Sequence, residues 1–342
     1  MTTAFLTHED YHLHSLPGHP EHAERLQRVL EVLAKHGMID KLLSITPKPA
    51  AAEQLALIHT PDYVALIERA AQQGGGMLDP DTYLLPVSYE VARLAAGGVL
   101  DAVDAVMSGQ ADNAIALVRP PGHHALPNRG MGFCIFNNAA IAARHAQQAH
   151  GIERVMIVDY DVHHGNGTEV AFYDDPSVLY ISTHQYPFYP GSGALRDIGR
   201  GDGLGTTVNM PLSAGVGNEG FKALYERVLW PAARRFKPDV IIVSAGFDAH
   251  WDDPLAMLEL DLGGYVHITR ELIQMAREMC RGRIIVTLEG GYNLKALSYG
   301  ILNVGYALLG EDTVEDPLGP SGGYEPSVAR LIDELLALHQ LG

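Results

Sequence analysis

The chain has 342 residues, with 24 Lys plus Arg against 41 Asp plus Glu, a formal charge of −17. That acidic balance and the lack of a basic stripe argue against direct nucleic-acid binding, and suit cationic amines as substrates. The opening Met1–His12 has neither the basic end nor the apolar stretch of a signal peptide, and no apolar run approaches the roughly 18 residues of a membrane span. Only Cys134 and Cys280 occur. They lie far apart, which excludes a disulfide framework and a thiolate zinc site and leads us to expect a cytoplasmic protein.

Short apolar runs alternate with segments of helical period, the pattern of βα units around a mostly parallel sheet. The pattern predicts a strand over Ala4–Thr7 and then helices over Glu21–Lys35, Asp62–Gln72 and Tyr89–Met107. A strand over Ala114–Val118 and a helix over Asn137–His150 follow, then strands over Val155–Val158, Val178–Ser182 and Thr207–Met210. Next come a helix over Glu219–Phe236, a strand over Val240–Ser244, a helix over Gly264–Cys280 and a strand over Ile284–Leu288. Helices over Leu294–Leu309 and Pro326–His339 close the chain. Gly74–Gly76 and Gly199–Gly205 read as loops, no composition shift divides the chain, and one domain over 1–342 is expected.

Each clear polar cluster begins where a predicted strand ends: Arg119-Pro120-Pro121-Gly122-His123-His124, Asp159-Tyr160-Asp161-Val162-His163, Phe247-Asp248, and Glu289-Gly290-Gly291-Tyr292. In open parallel sheets ligands bind at the carboxyl ends of the strands, so the four clusters converge on one site. A catalytic metal typically has three protein ligands and an open position. Alternation along extended chain puts Asp161 and His163, at i and i+2, on the same side, so that both can face one ion, and Asp248 closes the set. An isolated D-x-H is more often a loop carboxylate beside a capping histidine; the neighbouring clusters reverse that weighting. His123 and His124 are then placed for general base and acid duty, with Asp159 orienting one of them. Tyr292, after two glycines, can donate to a developing oxyanion, although a tyrosine in a glycine turn is usually packing.

The strings RPPGHH, GFCIFNNAAIA, VDYDVHHGNGT, SAGFDAH and LEGGYN resemble the histone deacetylase superfamily, in its class II-like branch of bacterial deacetylase-like amidohydrolases and acetylpolyamine amidohydrolases. The resemblance runs in order from His19-Pro20-Glu21 and Arg25 through Tyr292. It implies a three-layer α/β/α arginase–deacetylase fold around a mostly parallel sheet of about eight strands. It also implies a zinc-dependent deacetylase with Asp161, His163 and Asp248 as ligands to one ion, His123 and His124 as the proton-handling pair, Asp159 behind His123 and Tyr292 polarising the carbonyl. Gly132, Phe133 and Tyr189 would line the substrate tunnel. A structural potassium site would draw on Asp159, Asp161, His163, Ser182 and Thr183. Asn166 stands behind His124 where another branch of the family has a carboxylate, and Tyr189 stands where Phe is commoner.

The expected substrate is an acetylated lysine peptide, with acetylated polyamines as the alternative. An arginase-like ureohydrolase with two manganese ions would want D-x-H-x-D, and this chain has Gly165 in place of the second carboxylate. An inactive acetyl-lysine-binding module would require a missing catalytic group, and none is missing. A homo-oligomer is compatible with the sequence. The histidines near the start (His8, His12, His14, His19, His22) and His250 read as loop, rim or outer residues, Arg25 as serving either an acetate channel or a salt bridge, and Asp79 and Asp81 as rim residues.

Overall fold

Eight of the apolar runs lie side by side in one all-parallel sheet in the computed structural model, which describes residues 1–341. The strands are β1 (Thr3–Leu6), β2 (Leu43–Ile45), β3 (Gly76–Met77), β4 (Tyr83–Leu84) and β5 (Asn113–Ala116), then β6 (Val155–Asp159), β7 (Val178–Gln185), β8 (Thr207–Leu212), β9 (Val240–Ala245) and β10 (Ile284–Leu288). The sheet order is β2-β1-β5-β10-β9-β6-β7-β8, while β3 and β4 form a separate antiparallel hairpin. Parallel strands are covered by helices on both faces and so read as continuous apolar runs. Accordingly β5, β6, β9 and β10 are buried at every residue.

The helices are α1 (Glu24–Lys35), α2 (Ala52–Leu55), α3 (Pro61–Gln72), α4 (Ser88–Met107), α5 (Asn138–His150) and α6 (Asn166–Phe172), then α7 (Asn218–Leu224), α8 (Trp230–Phe236), α9 (Leu262–Met279), α10 (Leu294–Leu309) and α11 (Ala329–His339). α4 and α5 pack together against the sheet, and α1, α9 and α10 form another packed group. Sequence chemistry sets several boundaries. Asn293 caps α10 by accepting from the Lys295 and Ala296 amides, and Gly310 ends it at φ 81°. Both are the residue types that favour those positions, and the predicted span Leu294–Leu309 is the observed one.

Elsewhere the structure departs from the periodicity. The predicted first helix begins at Glu24 rather than Glu21, because the Glu21 carboxylate turns inward to Arg119 and Arg25. The predicted helix Glu219–Phe236 is α7 and α8 joined by a π turn over Tyr225–Leu229. Gly76 lies in the β3–β4 hairpin instead of a plain loop. β2 and that hairpin are two or three residues per strand, too short to show a period.

Register levels the strand ends. Asp159 pairs with Ser182 on one side and Ser244 on the other, and Ala245 pairs with Leu288. The segments carrying Asp161, Asp248 and Tyr292 therefore leave the sheet at one edge, within a few residues of those pairs.

Candidate active site

Asp161, His163 and Asp248 meet as expected, but by a different local route. Residues 160–165 bend rather than continue the strand. Asp161 Oδ1 accepts from the His163 amide at 2.9 Å and lies 3.1 Å from His163 Nδ1. Asp248 Oδ2 approaches the same nitrogen at 3.3 Å. The ligand atoms of the three residues all lie within 4.8 Å of one another. Both carboxylates are buried and fixed on their far sides: Gly290 N–H donates to Asp161 Oδ2 at 2.8 Å, and Val162 N–H to Asp248 Oδ1 at 2.9 Å.

Asp248 Oδ2 makes no hydrogen bond although it is buried. Such an orphan is costly unless something else occupies it. Burial works against charge on His163, yet its two carboxylates push its pKa up to about 10. The centre thus favours positive charge, as two anions around one point require. A Cβ at Gly290 would collide with Asp248 Oδ2, so the backbone there must be bare for the carboxylates to converge. Two carboxylates and one imidazole with an orphan oxygen fit a divalent ion of the zinc kind.

Above this centre the two adjacent imidazoles carry different partners. His123 Nδ1 lies 3.0 Å from Asp159 Oδ2, which Tyr180 O–H also reaches at 3.2 Å. Burial opposes its protonation, but Asp161 and Asp159 outweigh that and raise it to about 10. His124 Nδ1 lies 2.8 Å from Asn166 Oδ1. Burial, then the charges of His123 and His163, push His124 well below the ordinary range. The surroundings thus favour the charged form of His123 and the neutral form of His124.

The floor opens into a cavity of about 200 Å³. Phe133, Phe188, Tyr189 and Leu255 supply apolar walls, Gly132 lies beside them, and Asp81 is the carboxylate among the lining residues. Phe133 adopts φ 68°, uncommon outside glycine, and its amide is anchored by Thr82 Oγ1 at 2.9 Å. Tyr292 lines the same cavity with its ring 5.9 Å from that of Phe133. Burial pushes its phenol well above the usual range, so it remains an O–H donor.

Sequence reasoning missed three participants and placed a fourth, Glu289, at the site without giving it a role. Phe188 stacks on His163 at 5.6 Å and 18°, and its place beside Tyr189 in an aromatic loop was the available signal. Glu289 accepts from the Gly122 amide at 2.7 Å and the Ser244 hydroxyl at 3.1 Å, tying the His123 loop to β9. Asp253 and Leu255 carried no signal beyond following Asp248. Arg25 is buried against Glu21 and donates to the Glu289 and Gly291 carbonyls at 2.7 and 2.8 Å, which gives it a structural ion pair beneath Tyr292. His250 is buried outside the cavity, with Nδ1 on the Asp252 amide. Ser182 and Thr183 sit level with Asp159 on β7, and Thr183 Oγ1 is a buried hydroxyl without a partner. A carboxylate at position 165 has no room, since a Cβ there would collide with Asp159 Oδ2.

An all-parallel eight-stranded sheet carrying carboxylates, paired imidazoles and a tyrosine at one edge defines a hydrolase of the arginase–deacetylase fold acting on amide bonds. Residues 19–308 match the Histone deacetylase domain, and the chain belongs to that family, which is zinc-dependent in general. It is 41% identical to the Histone deacetylase-like amidohydrolase of Pseudomonas aeruginosa, over 88% of this chain and 80% of that protein. It is equally 41% identical to the human Polyamine deacetylase HDAC10, over 89% of this chain and 46% of that protein. A crystal structure of the HDA15 HD domain superposes with a TM-score of 0.91 at 38% identity, covering 99% of this chain and 94% of that one. Like its relatives, the protein is a deacetylase acting on acetylated amines. Among the described residues no helix is long and apolar enough to cross a membrane.

Proposed function

We propose that the enzyme hydrolyses the acetyl-lysine side chain in peptides, with one zinc ion held by Asp161, His163 and Asp248. The observation that carries this reading is the convergence of those three side chains, one oxygen orphaned, at the floor of an apolar tunnel between the imidazole pair and Tyr292. A bound ion supplies Lewis acidity, polarising the amide carbonyl and acidifying water.

The protein's own groups do the rest. Asn166 accepts the Nδ1–H of His124, which leaves Nε2 as a lone pair; the neutral ring takes a proton from the attacking water there. His123, hydrogen-bonded to Asp159, lies beside the reacting carbonyl, where Asp159 favours its protonated form. Tyr292 O–H donates to the carbonyl oxygen as it gains charge. The amide C–N bond then breaks as His124 returns its proton to the leaving nitrogen, giving acetate and free amine. Phe133 and Tyr189, with Gly132 in the same lining, grip the alkyl chain. Asp159, Asp161 and His163 together with Ser182 and Thr183 are proposed to hold a potassium ion, with the orphan Thr183 hydroxyl in support. The buried, unpaired Cys134 and Cys280 suit a reducing compartment, which we propose is the cytoplasm.

Acetylated polyamines are the second reading, favoured by the likeness to a polyamine deacetylase and by Asp81 at the cavity lining. Leu255 and the aromatic walls favour the lysine side chain, whose single charge is cancelled by acetylation. The test is kcat/KM on an acetyl-lysine peptide and an acetylated polyamine, side by side, with a chelated control. Chelator-sensitive turnover favouring the peptide is expected; preference for the polyamine would replace the substrate and keep the residues.

A further inference from the structure

We propose that the enzyme carries a second divalent-metal site, formed by Asp104, His145 and His150 on the outer helices. Asp104 lies near the end of α4, and His145 and His150 lie in the last turns of α5, which packs against it. Both imidazoles point Nε2 at the same oxygen, Asp104 Oδ1, at 2.7 and 2.6 Å. Their rings stand edge to face, 5.7 Å apart. The three ligand atoms fall within 4.8 Å of one another, as those of the catalytic triplet also do.

The location separates this cluster from the chemistry. α5 starts at the strand-end side, where Asn137 N–H meets His59, and finishes at His150, just before β6 begins. At 1.5 Å per residue the helix carries its last residue about 20 Å away, to the amino edge of the sheet. The cavity over Asp161 is at the carboxyl edge.

Two nitrogens and one carboxylate oxygen are the donor set that zinc, cobalt and nickel favour. A tetrahedral ion with bonds of about 2.0–2.1 Å spaces its ligand atoms roughly 3.3 Å apart. The observed contacts need only a modest opening, and Asp104 has freedom to provide it, because its side chain is 49% exposed. His145 and His150 are more enclosed, at 12% and 23%. Asp101 adds negative charge beside Asp104 and His145, and its own carboxylate is occupied by the Lys48 amide at 2.8 Å. The arrangement therefore leaves an open side for water and draws a cation. An ion there clamps α4 to α5.

The test starts from enzyme carrying one zinc per chain and adds zinc or cobalt, counting bound metal by elemental analysis after equilibrium dialysis. Native enzyme is expected to take up a second equivalent, with a rise in melting temperature and, for cobalt, visible d–d absorption. Asp104→Asn and His150→Ala should each weaken that equivalent by at least about tenfold while leaving peptide turnover unchanged, which also shows that they fold. Asp161→Asn should lose the catalytic ion and keep the outer one, so the two sites fail independently. Native enzyme that stops at one equivalent, or an Asp104→Asn chain that keeps its second, would overturn the site and leave the helices joined by hydrogen bonds alone.

Discussion

Asp253 offers the sharpest test of how Tyr292 is held. It sits in the loop after β9, 7% exposed, and its Oδ2 accepts from the Tyr292 and Asn293 amides at 2.8 and 3.1 Å. Its Oδ1 accepts from the Leu255 amide at 2.9 Å. One carboxylate thus joins the loop bearing Asp248 to the loop bearing Tyr292. Asp253→Ala strands three amides, at about 1–3 kcal/mol each if they stay dry. Against that, burial and then the Asp248 charge push Asp253 up to about 7 even with the three amides pulling it down, so its removal also relieves a disfavoured buried charge. The two effects oppose each other, and the variant is expected to fold. Catalysis should suffer more, because a 1 Å misplacement of a reacting group costs roughly 100-fold. Steady-state kinetics should show kcat down about 100-fold with zinc content intact, and Asp253→Asn should recover part of it. A kcat within about threefold of native would mean that Arg25 and Phe133 position the phenol alone.

Tyr292→Phe deletes only the donor, so kcat should fall roughly 100- to 1000-fold with metal content unchanged; near-native turnover would remove its role. Asp248→Ala should lose zinc and activity together, read by elemental analysis, and a fully metallated variant would strike it from the ligands. His59 tests acid stability. Its Nδ1 donates to the Leu126 carbonyl and its Nε2 accepts from the Asn137 amide, so both nitrogens are committed to the neutral ring. Burial lowers its pKa to about 4 from 6.5. The unfolded chain therefore takes up the proton first on acidification, and stability of about 3 kcal/mol is lost as pH falls from 6.5 towards 4. His59→Gln should flatten part of that limb in denaturant melts at stepped pH. His14, also lowered to about 4, should keep the remainder. An unchanged limb would refute the assignment.

The sheet was legible because parallel strands buried on both faces are continuous apolar runs, as Val155–Val158 and Ile284–Leu288 are. Ends marked by chemistry were legible too, such as Asn293 and Gly310 around α10. What escaped was set by tertiary partners. No local signal starts α1 at Glu24 instead of Glu21; the start is set by Arg119, nearly a hundred residues on, claiming Glu21. Likewise the convergence of Asp161 and His163 was expected from strand alternation, and the residues do converge, but through a bend stabilised by Asp161 itself. The motif spacing carried the site while the stated geometry behind it was wrong. Asp253, and the role of Glu289, escaped for a related reason. Their work is to accept backbone amides, and any buried acidic residue reads the same way in a sequence.

The imidazole pair shows why the residue behind each ring matters as much as the ring. His123 and His124 are neighbours in one loop, with ring centroids 4.0 Å apart, and two cations at that distance repel strongly in a dry site. Only one of them can hold a proton at rest. Asp159 behind His123 assigns the charge there, and Asn166 behind His124 gives that ring an acceptor for Nδ1–H without a second negative charge. A carboxylate behind His124 as well would stabilise its charged form more than the neutral Asn166 amide does. The asparagine that the resemblance marks as a departure thus fits the role of base proposed for His124.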